Sequence, residues 1–252
     1  MEKIDTSFDF TSDSRGYWDG FWNNNDGLGA GNSDPDSSSK TLQNYHRFLW
    51  SKLLPNGERM TLAKGSGANY LTWNGFRFGS DSIMASFRYK KYRYMINRIA
   101  DSIPDYKAYM ENYIKKTYTI GGMIIFPKRM WGINQSRGCN SKIRDRWDLT
   151  LECIRRYYDN QDSPLYNVLI KDKDFFDLFQ SFRGYVDFFY LQDCVSSDYE
   201  QVVFWEGDGD FRENPLPSTV EDYIRWIDEE IKFVEKRNRR IEEAVLSDIY
   251  EP

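Results

Sequence analysis

The spacing of apolar residues changes along this chain, from alternation in the first third to helical periodicity in the rest. Alternation around Phe8 and Phe10 predicts an extended start. Asn74 and Gly75, flanked by short alternating runs, predict the turn of a β-hairpin over residues 70–79. The apolar run at 123–127 predicts one further strand, so the sheet is expected to be small.

Helical spacing follows a tract at 23–39 that is rich in Asn, Gly, Asp and Ser and predicts a flexible loop. Ser39 is a suitable N-cap for a helix that runs from Lys40 to about Leu53. Periodic apolar positions predict further helices at about 82–103, 106–117 and 141–158.

The C-terminal segment carries the clearest pattern. Ser218 and Glu221 form a capping box, and apolar residues then recur at alternating steps of four and three to about Ser247. Asn238 is the one polar member of this seam. The pattern predicts a long helix packed along its own domain. A homodimeric coiled coil through 219–247 is the alternative, because a single Asn in such a seam fixes register and oligomeric state.

These elements together predict a single α+β domain over residues 1–252, mostly helical. We expect a small antiparallel sheet from the N-terminal third, covered by five or six helices, and a long C-terminal helix. Residues 1–85 form the strand-containing part and residues 86–252 the helical part. A chain of 252 residues is long enough to bury a full core.

Charge is sorted along the chain, which the net charge of −5 conceals. Residues 86–146 hold 14 Lys/Arg and 4 Asp/Glu, a net +10, whereas residues 147–252 hold 12 and 25, a net −13. Such asymmetry indicates either a face that binds polyanions or two regions that dock on each other.

Several classes of protein are excluded by composition. No apolar run approaches 18 residues, so no membrane span is expected, and the acidic N-terminus is unlike a signal peptide. Three widely spaced cysteines favour reduced thiols and therefore a cytoplasmic location. With one histidine and no Cys-x-x-Cys, we expect no metal site and no cofactor.

The segment 87–98 interleaves five cations with tyrosines and contains no acid, which is typical of a surface that holds phosphates and stacks on bases. The alternative is a solvated helix whose cations pair with the acidic C-terminal half. The residues expected to bind phosphate or nucleic acid are Arg88, Lys90, Lys91, Tyr92, Arg93, Lys128 and Arg129.

Two residues break the polarity of the helical face on which they are predicted to lie. His46 falls within the apolar stripe of its helix, and Arg146 falls within the apolar arc of the helix at 141–158. In the first interpretation both are structural: His46 is a hydrogen-bonded core residue, and Arg146 forms a buried ion pair with an acid of the C-terminal half. The alternative is that both belong to one functional site. In the second interpretation they share a cavity with Arg137 at its mouth, and His46 is the general acid or base.

Several stretches resemble a family of uncharacterised bacterial proteins of unknown function, some of them from mobile or phage-related DNA. The matching stretches are DPDSSSKTLQNYHRFLWSKLLPNG from Asp34, FRFGSDSI from Phe76, YTIGGMIIFP from Tyr118, GINQSRG from Gly132, IRDRWDLTLECIRRYY from Ile143, GYVDFFYLQD from Gly184 and LPSTVEDY from Leu216. They cover most of the chain, so the resemblance implies one whole domain. It implies no activity, although His46, Arg137 and Arg146 lie inside the matching stretches.

Two functional hypotheses follow from the sequence. The first is a protein directed at nucleic acid or nucleotides, such as a metal-independent nuclease or toxin-like enzyme in conflict between phages and bacteria. Its catalytic residues would be His46, Arg137 and Arg146. The second is a non-enzymatic interaction module, an inhibitor or assembly subunit, that engages a protein partner through its acidic C-terminal half or its heptad helix.

Overall fold

The computed structural model describes the chain in segments: residues 4–23, 34–65, 71–83, 93–137, 143, 146–205, 211 and 217–250, with backbone alone at 93–96 and 248–250. The α-helices are α1 (Tyr17–Asn23), α2 (Pro35–Ser38), α3 (Lys40–Trp50), α4 (Arg93–Ala100), α5 (Tyr106–Thr117), α6 (Ile133–Arg137), α7 (Trp147–Tyr158), α8 (Tyr166–Leu169), α9 (Lys173–Asp177), α10 (Phe182–Phe188) and α11 (Val220–Tyr250). The strands are β1 (Ala63–Lys64), β2 (Leu71–Trp73), β3 (Phe76–Ser82) and β4 (Met123–Pro127).

The four strands form one antiparallel sheet in the order β1-β2-β3-β4. The β2–β3 turn has Asn74 at φ 45° and Gly75 at φ 82°, the left-handed pair that a two-residue hairpin requires. Pairing with β2 ends at Phe78, where Leu71 is its partner, while β3 continues along β4 to Ser82. The short helix α2 packs against β3.

The core lies between this sheet and the helices. Every residue of β4 is buried, and its Phe126 ring lies 6.2 Å from the Trp147 ring at the start of α7. Burying each such large side chain contributes about 1.5–3 kcal/mol. The predicted α+β class, the single small antiparallel sheet and the long C-terminal helix are confirmed.

The helix α11 is attached to the turn before β4 by polar contacts within the chain. Asn238 Oδ1 accepts from the Gly121 amide at 2.6 Å, and its Nδ2 donates to Thr119 Oγ1 at 2.8 Å. The buried Arg237 donates to the carbonyls of Gly121 and Met123, both at 2.8 Å. A Cβ on Gly121 would lie 2.4 Å from the Val234 carbonyl, so the close approach requires glycine. Asn238, the polar member of the seam, therefore forms hydrogen bonds within its own chain.

Some predicted boundaries are correct and others are wrong. The hairpin, β4, the cap of α3 by Ser39 and the span of α5 are as predicted. The extended start is wrong, because Phe10 packs into the core from a series of turns that leads into α1. The helix predicted from residue 82 is also wrong there, because Ser82 pairs with Met123 in the sheet. Of the loop predicted at 23–39, residues 24–33 lie outside the described residues and 35–38 are helical.

Two further expectations are met in the described residues. Cys153 and Cys194 are buried free thiols, while Cys139 lies outside the described part of the chain. Among the described helices, none has the length and apolar character that crossing a bilayer requires.

Candidate active site

Three aspartates converge where α2 lies against β3. Asp34 caps α2 by accepting the Asp36 amide at 3.1 Å, which holds both carboxyls on one short turn. Asp81 comes from β3, on the stretch beyond the last β2 pair. All three side chains are partly buried. The fold therefore concentrates three carboxyls in a place with limited access to water.

This environment raises the pKa of every carboxyl in the cluster. Burial raises the pKa of Asp34 to about 6, and the negative charge of Asp81 adds to the effect. Burial, and then the neighbouring charges of Asp34 and Asp81, raise the pKa of Asp36 well above its ordinary value. Burial likewise raises the pKa of Asp81, although the positive charge of Arg137 opposes the shift. Burial and mutual repulsion therefore favour the protonated forms of all three carboxyls.

Arg137 is the cation of the site. It ends α6, and its Nη1 lies 3.0 Å from Asp81 Oδ2 and donates to the Ser82 carbonyl at 2.8 Å. Its Nε donates to Thr150 Oγ1 at 3.1 Å, so α7 also holds the guanidinium in place. The charge of the guanidinium acts on Asp81 and Asp36, and it balances only one carboxylate of the cluster.

His46 is linked to the same cluster through a directional chain of hydrogen bonds. Trp50 Nε1 donates to His46 Nδ1 at 2.9 Å, and because an indole can only donate, we assign the imidazole proton to Nε2. His46 Nε2 lies 3.0 Å from Ser80 Oγ, which donates to Asp36 Oδ1 at 2.9 Å. Burial, reinforced by the positive charge of Arg237, lowers the pKa of His46 to about 3.

A neutral histidine with both ring nitrogens hydrogen-bonded is suited to hold Asp36 in place. Burial of the ring disfavours the charged imidazolium, and the role of general acid or base stays a prediction for His46. A cavity of about 10 Å³ lies beside the ring, bounded by His46, Asp36 and Ser80 together with Ser39, Gln43 and four apolar side chains. That volume accommodates about one water molecule.

Arg146 belongs to a separate environment. It precedes α7 in an extended conformation and forms two hydrogen bonds with Asp148, from Nε at 3.0 Å and from Nη2 at 2.5 Å. Its guanidinium lies 4.6 Å from the centre of the Trp226 ring, and both charged side chains are fully buried. Neither Arg146 nor Arg137 lines the cavity beside His46. The structure thus brings His46 and Arg137 to one polar cluster and leaves Arg146 outside it.

The residues predicted to bind phosphate fall into three groups. Arg88, Lys90, Lys91 and Tyr92 lie outside the described residues, and Arg93 begins α4 with its side chain undescribed. Lys128 is exposed just after β4. Arg129 forms an ion pair at 2.7 Å with the buried Asp172, an acid of the C-terminal half. One cation of the predicted set is therefore paired as the alternative interpretation expects.

The aspartates of the site were missed at the sequence level, although a signal was present. Asp34, Pro35 and Asp36 precede the N-cap Ser39, and Asp-Pro is a usual start for a short helix. Ser80 and Asp81 follow the predicted hairpin, at the point where apolar residues cease to alternate with polar ones. The first pair falls in the loop predicted at 23–39, and the second lies between the hairpin predicted at 70–79 and the helix predicted from about residue 82.

The arrangement can perform proton transfer with carboxyl groups held at different protonation states. Among the described residues, no group of three or more His, Cys, Asp or Glu has the geometry of a metal site.

The fold and site define an α+β protein with a partly buried carboxyl–arginine cluster. The chain belongs to DUF6994, a family of unknown function, whose model matches residues 4–241. Neither the comparison with curated proteins nor the comparison with solved structures gave a match.

Proposed function

We propose that this protein is an enzyme directed at nucleic acid or nucleotides, working by metal-independent acid–base chemistry at the Asp34–Asp36–Asp81 cluster. The observation that carries the proposal is the gathering of three aspartates of raised pKa, one of them paired with Arg137. Strongly perturbed carboxyls next to a charged partner in a partly open site are typical of catalytic centres. Clusters of like charge are costly, and a purely structural role would not require one.

In this mechanism Asp34 is the general base and Asp36 the general acid. Asp34 has a pKa of about 6 and is ionised at neutral pH, while burial and the negative charges of Asp34 and Asp81 favour the protonated form of Asp36. In RNA cleavage the base takes the proton of a ribose 2′-hydroxyl, whose oxygen attacks the adjacent phosphorus and forms a 2′,3′-cyclic phosphate. The P–O5′ bond breaks, and the acid gives its proton to the leaving 5′-oxygen. Arg137 supplies positive charge beside Asp81, and the His46–Ser80 link orients Asp36.

The substrate class rests on charge. An acidic cluster alone repels phosphate, so a cationic surface must hold the substrate. The sequence from Arg88 to Arg93 supplies cations and tyrosines and starts five residues after Ile83. The proposal retains a cytoplasmic location and a role in conflict between phages and bacteria as parts of the same hypothesis.

The test is cleavage of a labelled single-stranded RNA in the presence of EDTA, beside the same sequence with 2′-O-methyl riboses. We expect cleavage of the RNA alone, because the methyl group removes the attacking hydroxyl. The rate should rise between pH 5 and 7 as Asp34 ionises. A requirement for added Mg²⁺, or equal cleavage of both strands, would overturn the mechanism.

Variants assign the activity to the cluster. Asp34→Asn and Asp36→Asn should each lower the rate about 10²–10⁴-fold, the usual contribution of a general acid or base. Asp162→Asn is the matched control, since it removes an exposed carboxylate in the loop between α7 and α8. Activity that survives both cluster variants would mean that the carboxyls have no catalytic role.

The second candidate function is the interaction module, and one observation favours it. The Arg129–Asp172 ion pair uses a cation of the predicted phosphate-binding set inside the protein. In this alternative the acidic C-terminal half engages a protein partner, or a second copy through 219–247. Absence of cleavage on RNA, DNA and mononucleotides, together with a stable complex with a cationic partner, would favour it over the enzyme.

A further inference from the structure

A second site lies at the C-terminal end of α3, away from the aspartates. A groove of about 480 Å³ opens there, between the end of the helix, the segment leading to β1, Tyr190 just after α10 and Val245 of α11. This volume lies within the range of small-ligand sites. Its lining residues are Arg47, Phe48, Leu49, Ser51, Lys52, Arg59, Thr61, Leu62, Tyr190 and Val245.

The lining of the groove is cationic. Three of its side chains carry a positive charge, and among these ten described residues there is no carboxylate. The exposed Arg59 is anchored by a hydrogen bond from Nη1 to the Ser51 carbonyl at 3.1 Å. Among the described residues Arg59 forms no ion pair. In a protein of net charge −5, a concave surface of this kind is a local attractor for anions.

Lys52 is fixed at the groove by aromatic rings. Its Nζ lies 3.7 Å from the centre of the Tyr190 ring and 4.6 Å from that of Phe188. Tyr190 adopts a left-handed backbone with φ 55°, a conformation that is costly for a residue with a large side chain. The packing around Tyr190 therefore holds its backbone in an unfavourable conformation, and this conformation places the Tyr190 ring against the Lys52 ammonium.

Aromatic surface is available beside the cations. Phe48 is 37% exposed, and Tyr190 is partly buried in the lining. Cations that hold phosphate beside aromatic faces that stack on bases are the two components of sequence-tolerant nucleic-acid sites. An acidic peptide would use the cations, whereas the base of a nucleotide would also stack on the exposed ring of Phe48.

We propose that this groove binds a nucleoside phosphate, with Arg47, Lys52 and Arg59 on the phosphate and Phe48 on the base. The ligand is either a free nucleotide or one unit of a single strand. The inference deepens the proposed function and rests on it only in naming the ligand as substrate. His46 and Arg47 are consecutive on α3, so a single helix contributes to the acidic cluster and to the groove.

Binding is measured apart from cleavage, by fluorescence anisotropy of a labelled hexathymidylate, which has no 2′-hydroxyl to attack. The double variant Arg47→Gln/Arg59→Gln should lower the slope of log Kd against the logarithm of salt concentration by about 1.4. Each phosphate contact to a single strand contributes about 0.7 to this slope. Phe48→Ala should weaken binding about 5-fold to 150-fold, the usual effect of removing one stacking ring. Lys171→Gln, which removes an exposed cation elsewhere, should leave both quantities unchanged.

Competitors identify the source of the ligand. Displacement by adenosine monophosphate indicates a free-nucleotide site, and displacement by unlabelled strands alone indicates a nucleic-acid site. Either result supports the proposal. Absence of binding, a salt slope unchanged in the double variant, or equal displacement by hexaglutamate with no effect of Phe48→Ala would overturn it. Asp36→Asn should bind normally, so failure of catalysis and failure of the groove remain distinguishable.

Discussion

Arg137 and Arg146 are both buried arginines with an aspartate partner, yet their surroundings differ in charge balance. Arg146 and Asp148 form a one-to-one pair whose side chains are both 0% exposed. Asp148 also accepts from the amides of Leu149 and Trp205, so its charge is fully compensated. Arg137 instead faces Asp81, which is 18% exposed, with two further aspartates close by.

The difference separates a structural ion pair from a candidate site. A balanced, sealed pair contributes to a unique packing arrangement and offers nothing to a ligand. An unbalanced cluster keeps carboxyls of raised pKa at a place where solvent still has access, which is costly for folding and useful for chemistry. Replacing single members of the two clusters should therefore have opposite effects on stability.

The largest effect is expected at Arg146. Arg146→Ala leaves Asp148 buried without its cation, and we expect a loss of about 3–5 kcal/mol in the free energy of unfolding. Urea denaturation followed by circular dichroism measures this loss. The double variant Arg146→Met/Asp148→Asn should recover much of the stability, because no buried charge remains. Equal instability of the single and double variants would show that packing, and not charge, dominates at this position.

His46 is expected to have the next largest effect. His46→Ala opens a cavity in the core and removes the acceptor of Trp50 Nε1, so we expect a loss of about 2–4 kcal/mol. His46→Gln, which retains a side chain able to donate and accept, should lose less. A melting temperature unaffected by His46→Ala would contradict the buried, doubly bonded ring and favour the catalytic role suggested by the sequence.

The sequence was informative wherever one local pattern determined the outcome. The Asn74-Gly75 turn, the Ser39 cap and the long periodic helix α11 follow from neighbouring residues alone. Contacts between distant segments were not accessible in this way. Arg146 was expected among apolar residues of a helix, but the helix starts one residue later and its partner is two residues away. His46 and Arg137 share one cluster only because α2 packs on β3, which no local pattern specifies.

The aspartate cluster gives a prediction of opposite sign, in which a substitution stabilises the protein. Above its ordinary pKa of 3.8 an unfolded Asp34 has released its proton, while in the folded state it keeps the proton up to about pH 6. The folded state then binds more protons, so stability falls as pH rises from about 4 to 6 and stays lower above that range. Asp34→Asn should gain about 1–2 kcal/mol at pH 8, discounted for partial exposure, and little at pH 4.

This gain in the free energy of unfolding can be attributed to the removed charge. Asn caps a helix as well as Asp does, so the hydrogen bond to the Asp36 amide is retained. Chemical denaturation at pH 4 and pH 8 provides the measurement. Asp148→Asn is the matched comparison and should destabilise at pH 8, because it leaves Arg146 without its counter-charge. If Asp34→Asn also destabilised at pH 8, the carboxyl would be stabilising and the contrast between the two clusters would fail.

Asn238 tests whether the α11 seam serves the monomer or a dimer. Its amide accepts from Gly121 N and donates to Thr119 Oγ1 inside the same chain, so Asn238→Ala should cost about 1–3 kcal/mol through two unsatisfied groups. Sedimentation should give a mass near 30.0 kDa for both the wild type and the variant, at all concentrations. If the wild type had a mass near twice that value, and Asn238→Ala were a monomer of unchanged stability, Asn238 would lie at a two-fold interface. The contacts of both amide atoms favour the monomer, because a side chain already satisfied by its own fold gains nothing by pairing with a second copy.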